Sequence, residues 1–309
     1  MNLIKPSFEI IEQPSGIEGM YKHIELCGRT CYKSQDRITE DSAKKFVDGL
    51  IKSGHGSVLE HGTIYFKIPE SADVARNFLD EIATWTKCKH ITCSEENWWA
   101  VTTNFRVMIE HFATEYMEEL IEKYLCEPTE YHERRVTVKF NCDIGISREF
   151  NRHRVNSISE QSTRYCNYTK EKFGNGLNVM LNSDICETDL LECIDDWDCF
   201  DQNNVLDENQ LLKTMCKDIS EGAVFDTIST WLFANLMSQW SYNRLIKLGW
   251  KPQQARRVLP LDLHTELIHT AFVSDWKHFF ELRDHSAAHP DAIELAKPLH
   301  KEFIKRNLI

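Results

Sequence analysis

Short strand-like runs lie far apart along this chain, with helical periodicity filling the stretches between them. Phe8 to Glu12 (FEIIE), Thr63 to Ile68 (TIYFKI), Val136 to Phe140 (VTVKF) and Glu266 to Phe272 are each too short to stand alone, so they must meet across long connections. The expected fold is α+β, a central and largely antiparallel sheet flanked by helices. No internal repeat, low-complexity tract or Gly/Ser linker interrupts the chain, which favours one elaborated domain over residues 1–309. Two additions to it are expected: a helical insert at about 71–133 and an acidic insert at about 180–215. The first holds two helical patterns, Ala72 to Trp85 and Phe105 to Cys126, after which Val136 to Phe140 is expected to return to the sheet of Thr63 to Ile68.

Hydrophobic residues at 42% and charged ones at 27% over 309 residues are the composition of a chain able to bury a core. Lys+Arg 36 against Asp+Glu 48 leaves a net charge of −12, which opposes wholesale binding to nucleic acid or to an anionic membrane. The opening MNLIKPSFEIIEQ has no basic and apolar leader pattern, and no apolar run reaches the ~20 residues of a spanning helix. A soluble, cytoplasmic protein is expected. Ile219 to Leu248 reads as one long buried helix, but Asn235, Gln239 and Asn243 recur through it. Eleven cysteines are expected to stay reduced, and the Cys27/Cys31 and Cys88/His90/Cys93 groups do not complete a zinc set, so no metal is expected. Asp184 to Asp201, with eight acids and no Lys or Arg, reads as a solvated excursion anchored by Leu190, Leu191, Ile194 and Trp197.

Thr39 to Ser53 has a helical apolar face, and Gly54 supplies its stop. His55, Ser57, Glu60 and His61 therefore fall on a junction between a helix end and a strand, where function concentrates. His61 is taken as structural. Further on, Gly249 ends the long helix, Pro252 opens a short one, Ser274 is placed as a cap, and a last helix begins near Pro290 with Pro298 inside it.

Chemistry concentrates in Arg148 to Arg164, REFNRHRVNSISEQSTR, with four arginines against two glutamates in an otherwise acidic chain. Clustered guanidinium groups repel one another unless an anion or a buried carboxylate compensates them, so an anionic ligand is the economical reading. If Arg152 to Arg154 is extended, Arg152 and Arg154 point one way and His153 the other. Ser157, Ser159, Ser162 and Thr163 add hydroxyl donors suited to phosphate or nucleoside oxygens.

Arg152-His153-Arg154, seven residues, then Ser162 spells RHR-x7-S, and this resembles the signature of the flavin-dependent thymidylate synthases, which methylate dUMP using a reduced flavin. Three further segments match that family in order. GHGSVLEH (Gly54 to His61) looks like its helix-to-strand turn, QARRVLP (Gln254 to Pro260) like its A-R-x-x-L-P turn, and Phe280-Glu281-Leu282-Arg283 like its late F-x-x-L-R helix end.

The resemblance implies conversion of dUMP to dTMP with FAD as cofactor, and methylenetetrahydrofolate and the reductant NADPH as co-substrates, in a homotetramer with shared sites. It implies that Arg152, His153, Arg154, Glu160, His55, Ser57 and His278 lie at the flavin. It likewise implies that Glu149, Arg152, Glu160, Gln161, Ser162, Thr163, Arg164, Arg256 and Arg283 hold dUMP. Arg283 takes the catalytic role of favouring the ionised pyrimidine. Glu149 stands where the family commonly has Gln, Asn151 where it has an aromatic residue, and His278 where it often has Asn. A nucleophilic serine needs a base, and arginine cannot serve, so Ser162 is read as a binding residue and Cys166 as a bystander. Two rivals remain: a nucleotide- or RNA-binding protein using the Arg148 to Arg164 strip, and an inactive scaffold homologue.

Overall fold

The computed structural model describes residues 1–72, 78–79, 82, 90–93, 97–173, 176–200 and 206–309. In chain order, β1 (Asn2–Ile4) and β2 (Ser7–Ile11) precede α1 (Gly16–Cys31), α2 (Ser42–Ser53), the short α3 (Gly56–Leu59) and β3 (Thr63–Pro69). Then come β4 (His90–Cys93), β5 (Trp98–Asn104), α4 (Phe105–His111), α5 (Thr114–Tyr124), β6 (Arg135–Asp143), α6 (Ile144–Phe150), β7 (Ser157–Glu160) and β8 (Asn178–Met180). The chain closes with α7 (Glu187–Asp196), α8 (Glu208–Ser220), α9 (Thr227–Lys247), α10 (Pro252–Ala255), β9 (His264–Phe272), α11 (Val273–Arg283) and α12 (Pro290–Lys305). This is the expected α+β class: antiparallel sheets flanked by helices, with one short parallel pair between β1 and β8.

The principal sheet has the order β2-β6-β9-β7, antiparallel throughout. Its two faces differ in chemistry because side chains alternate. Val136, Val138, Phe140, Leu267 and Ala271 share one face and pack against Trp276, Phe279 and Phe280 of α11 and Leu295, Leu299 and Phe303 of α12. The other face carries Thr137, Lys139, Asn141, Glu266 and Thr270 in register. Helix α1 lies over it, with His23 Nε2 2.9 Å from Thr137 Oγ1. Strand β9 is buried along its whole length. That double burial explains its weak alternation in the sequence: the second face is covered by partnered polar groups rather than solvent.

Three expectations need correction. Segment 71–133 is not purely helical: β4 and β5 lie in it and pair antiparallel in the order β3-β5-β4. Strand β5 is largely buried despite Thr102, Thr103 and Asn104, so it shows no alternating pattern to read. The expected helix Ala72 to Trp85 falls mainly outside the described residues, although Phe78 and Ile82 are buried. The expected helix Phe105 to Cys126 is two helices, α4 and α5, with Phe112 and Ala113 between them. Consequently Val136 to Phe140 does not rejoin the sheet of Thr63 to Ile68; β6 is held between β2 and β9, and β3 belongs to the separate sheet.

The long helix expected from Ile219 begins instead at Thr227, where Asp226 caps it by accepting from Ser229 N–H at 2.7 Å. Ile219 lies in the last turn of α8, and Gly222 at φ +93° turns the chain between the two helices. The later helix is not buried all round, since Trp240 is 50% exposed. Ser274 is not a cap: α11 starts at Val273, and the Ser274 N–H donates to Glu133 Oε1 at 2.8 Å. Gly54 does stop α2, at φ +71°. Asp184 to Asp201 contains α7, anchored by buried Leu190 and Ile194, whereas Leu191 is exposed. No helix among the described residues is long and apolar enough to cross a membrane.

Several buried histidines are held neutral. Burial pushes His23 and His264 down to about 4 and His269 to about 3, and moves His61 well below its ordinary value. Unfolded histidine takes up a proton near pH 6.5, so the unfolded state binds more protons below that value. Stability from these groups is full above about pH 6.5 and is lost as pH falls toward 4. Urea melts across pH 7.5 to 4.5 are expected to show stability falling on the acid side; a flat profile would contradict the buried neutral imidazoles.

Candidate active site

The Arg148 to Arg164 stretch folds as helix, turn and edge strand. Asp143 caps α6 by accepting from Ile146 N–H at 2.7 Å, and Ile146 and Phe150 anchor that helix in the core. After it the chain turns, with His153 N–H donating to Phe150 O and Asn156 N–H donating to His153 O. The Arg152-His153-Arg154 triplet is therefore a turn, not an extended strand. The separation expected of an extended triplet still holds: His153 is 7% exposed while Arg152 and Arg154 face solvent. Neither of those arginines makes an ion pair among the described residues.

Arg283, the last residue of α11, reaches back to this turn. Its Nη1 donates to Glu149 Oε2 at 2.7 Å, its Nη2 to Glu149 O at 2.7 Å, and its Nε to His153 Nε2 at 3.2 Å. The guanidinium is thus fixed by three contacts, with N–H groups left over. His153 accepts through Nε2 and so is neutral; burial first, then Arg283 and His278, push it down to about 4. Its ring lies 4.9 Å from that of Phe279 and 6.1 Å from that of His278. His278 is otherwise exposed and pairs with Glu281 at 3.3 Å.

Glu160, at the end of β7, meets α6 from the other side. Its Oε1 accepts from Ser147 Oγ at 2.8 Å and from Thr265 Oγ1 at 3.4 Å, and its Oε2 accepts from Asn151 Nδ2 at 3.0 Å. Asn151 thus has a polar partner where an aromatic ring would have none. Gln161 is buried, with its N–H donating to Glu266 O at 2.8 Å and its Oε1 without a partner. A buried acceptor of that kind is expected to be completed by a donor from a ligand or water.

Ser162 is held through its backbone: its N–H donates to Cys31 O at 2.9 Å, and its carbonyl accepts from Cys166 N–H at 3.0 Å. Arg256 Nη1 donates to Thr163 Oγ1 at 3.1 Å, which joins the QARRVLP segment to the end of the arginine strip. Arg164 is exposed and lies over the Tyr165 ring at 5.5 Å. Helix α3 packs against β7, so exposed His55 and Ser57 lie on the element beside the arginine turn. Glu60 is engaged, accepting from Arg106 Nη1 at 2.6 Å. His61 is fully buried between Thr270 Oγ1 at 2.8 Å and Ser159 Oγ at 2.9 Å, a structural role.

Sequence reading passed over Ser147, Thr265 and Glu266, all of which touch site residues. Glu266 had a signal, a lone carboxylate inside a strand whose neighbours are buried. Cys166 is 1% exposed with its thiol pushed up to about 11 by burial, the opposite of an activated nucleophile. Cys166→Ser is expected to leave turnover within about twofold; a loss of two orders of magnitude would assign the sulfur a chemical role.

Four segments from distant parts of the chain thus converge on one region, with cations set around a neutral imidazole and unpaired acceptors. The chain belongs to the thymidylate synthase complementing protein family, whose model matches residues 16–81 and 88–306. The match includes all four segments. Among solved structures it is similar to a UMP/dUMP methylase, PolB from Streptomyces cacaoi, determined with 5-Br dUMP. The two are 16% identical with a TM-score of 0.39, over 99% of this chain and 93% of that one. No curated protein sequence matches the chain.

Proposed function

We propose that this protein reductively methylates dUMP to dTMP, with FAD as cofactor, methylenetetrahydrofolate as carbon donor and NADPH as reductant. The observation that carries the reading is the junction of Arg283 with Glu149 and His153, which joins the last motif to the first. Family membership supports the same reaction.

The residues at the arginine turn suit a flavin dinucleotide. Arg152 and Arg154 are exposed, unpaired cations among the described residues, fit to take its phosphates, and His55, Ser57 and His278 offer further polar contacts nearby. His153, being neutral, adds no third charge, and its Nδ1 is left to hydrogen-bond. When bound, FAD supplies the hydride chemistry that turns the transferred one-carbon unit into a methyl group.

The nucleotide is held next to it. Arg256 and Arg164, with the hydroxyls of Ser162 and Thr163, bind the dUMP phosphate; buried Gln161 Oε1 accepts from the nucleoside. Glu160, fixed by Ser147 and Asn151, orients the turn between the two ligands. Arg283 directs its remaining N–H groups at the pyrimidine and stabilises negative charge as the ring ionises, which enriches C5 for attack on the one-carbon unit. Glu149 pairs with the same guanidinium and tempers its charge. The exposure of His55, Ser57, Arg152 and Arg154 fits a homotetramer in which neighbouring subunits complete each site, in a single catalytic domain working in the cytoplasm.

The test is dTMP formation from dUMP, followed by chromatography, with each of FAD, methylenetetrahydrofolate and NADPH omitted in turn. Product is expected only with all three; product without FAD, or none under any condition, would overturn the proposal.

A further inference from the structure

Glu266 is a carboxylate near the start of the interior strand β9, 8% exposed, yet it is fully engaged. Lys33 Nζ lies 2.9 Å from Oε2 and Lys139 Nζ 2.8 Å from Oε1, while Gln35 Nε2 donates to Oε2 at 3.3 Å. Burial alone would raise the carboxyl, but the two ammonium groups reverse that and hold it below its ordinary value.

The two lysines lead to different places. Lys139 is on β6, the neighbouring strand, and its bond stays within the sheet. Lys33 follows the end of α1 and adopts φ +48°, a left-handed conformation that a side-chain residue rarely takes without restraint. Gln35 adds a second tie to the same loop and also donates to Thr30 Oγ1 at 3.3 Å. The end of α1 and this loop touch the candidate dUMP segment and the residue after it: Cys31 O accepts the Ser162 N–H at 2.9 Å, and the Tyr32 and Tyr165 rings are 5.5 Å apart. Meanwhile Glu266's own carbonyl accepts the Gln161 N–H at 2.8 Å.

We propose that Glu266 is a positioning residue for substrate binding, its carbonyl setting Gln161 and its side chain, through Lys33 and Gln35, setting the α1 end that holds Ser162. The inference rests on the reading that Gln161 to Arg164 bind dUMP. It makes the Glu266 to Lys33 bond functional and the Glu266 to Lys139 bond structural, although both join an ammonium group to the same carboxylate at nearly the same distance.

The experiment compares Lys33→Met, Lys139→Met and Glu266→Gln in the full chain, measuring dUMP dissociation by calorimetry together with KM and kcat for dUMP and thermal midpoints. Lys33→Met and Glu266→Gln are expected to raise Kd and KM for dUMP about tenfold with kcat within about twofold, because a displaced loop weakens binding before it touches the chemistry. Lys139→Met is expected to lower the melting point but leave dUMP affinity within about twofold. Lys33 lies on a partly exposed loop, so its variant carries the test even where Glu266→Gln does not fold. Equal affinity losses in both lysine variants, or none in Lys33→Met while the unmodified protein binds dUMP, would overturn the proposal. Failure of the unmodified protein to bind dUMP would instead remove the reading of Gln161 to Arg164 on which it rests.

Discussion

Arg283→Ala is expected to lower dTMP formation by at least about 10²–10³-fold, the cost of deleting one preorganised donor to developing negative charge. The loss is expected to be larger than for a residue that only binds, because the side chain also organises its surroundings. Without it, the Glu149 carboxylate loses its partner at 2.7 Å and His153 Nε2 loses its donor at 3.2 Å. Arg283→Lys keeps the charge but cannot reach Glu149 Oε2, Glu149 O and His153 Nε2 together, since only a planar fork presents donors in that arrangement. It is therefore expected to remain far below the parent enzyme. Flavin content is expected to persist in both variants, because the arginine turn proposed to serve the cofactor is also anchored by Phe150 in the core. Turnover assays alongside flavin absorbance check this; parental turnover in Arg283→Ala would remove the catalytic assignment.

Trp276→Ala is expected to be the most damaging change to the fold, at about 3–5 kcal/mol, the range for emptying a large buried aromatic site. The indole is fully buried, and its Nε1–H donates to Val136 O at 3.0 Å, so it stitches α11 to β6. Around it lie the rings of Phe140, Phe279, Phe280 and Phe303 at centroid distances of 5.1 to 6.3 Å. Alanine would leave a cavity and remove the indole hydrogen bond to Val136 O at once. Trp276→Phe, which refills much of the volume but not the hydrogen bond, is expected to lose less. Urea midpoints with unchanged m-values measure both; a loss under about 1 kcal/mol for alanine would mean that the helix is held elsewhere. Arg283 is borne on this helix, so the same packing that stabilises the sheet also places the guanidinium proposed to be catalytic.

Local signals carried well from sequence to structure, and non-local ones did not. Gly54 and Gly249 stop helices at positive φ because a chain leaving an α-helix needs a left-handed residue there. Ile64, Phe66 and Ile68 alternate because one face of β3 is core. Strand β5 escaped notice because burying Thr102, Thr103 and Asn104 erases the contrast on which alternation depends. The break before α9 was hidden by apolar residues on both sides of it, with Gly222 and the Asp226 cap its marks. In the candidate site, the arginine strip was legible from charge and spacing. The contact of Arg283 with Glu149, 134 residues away, was not, since periodicity says nothing about which helix end meets which turn. Glu266 was overlooked for a related reason: the two lysines that make its burial tolerable come from α1's end and from β6.

The most direct measurement is the visible absorption spectrum of the purified protein, native and denatured, with the released chromophore identified by mass and dUMP titrated into the native sample. Released FAD, with a native flavin band that shifts on adding dUMP, is the predicted result, because the arginine turn and the Gln161 to Arg164 segment adjoin through Glu160. A protein that carries no flavin and takes none up on reconstitution would contradict flavin-dependent methylation and leave a nucleotide-binding protein or an inactive scaffold.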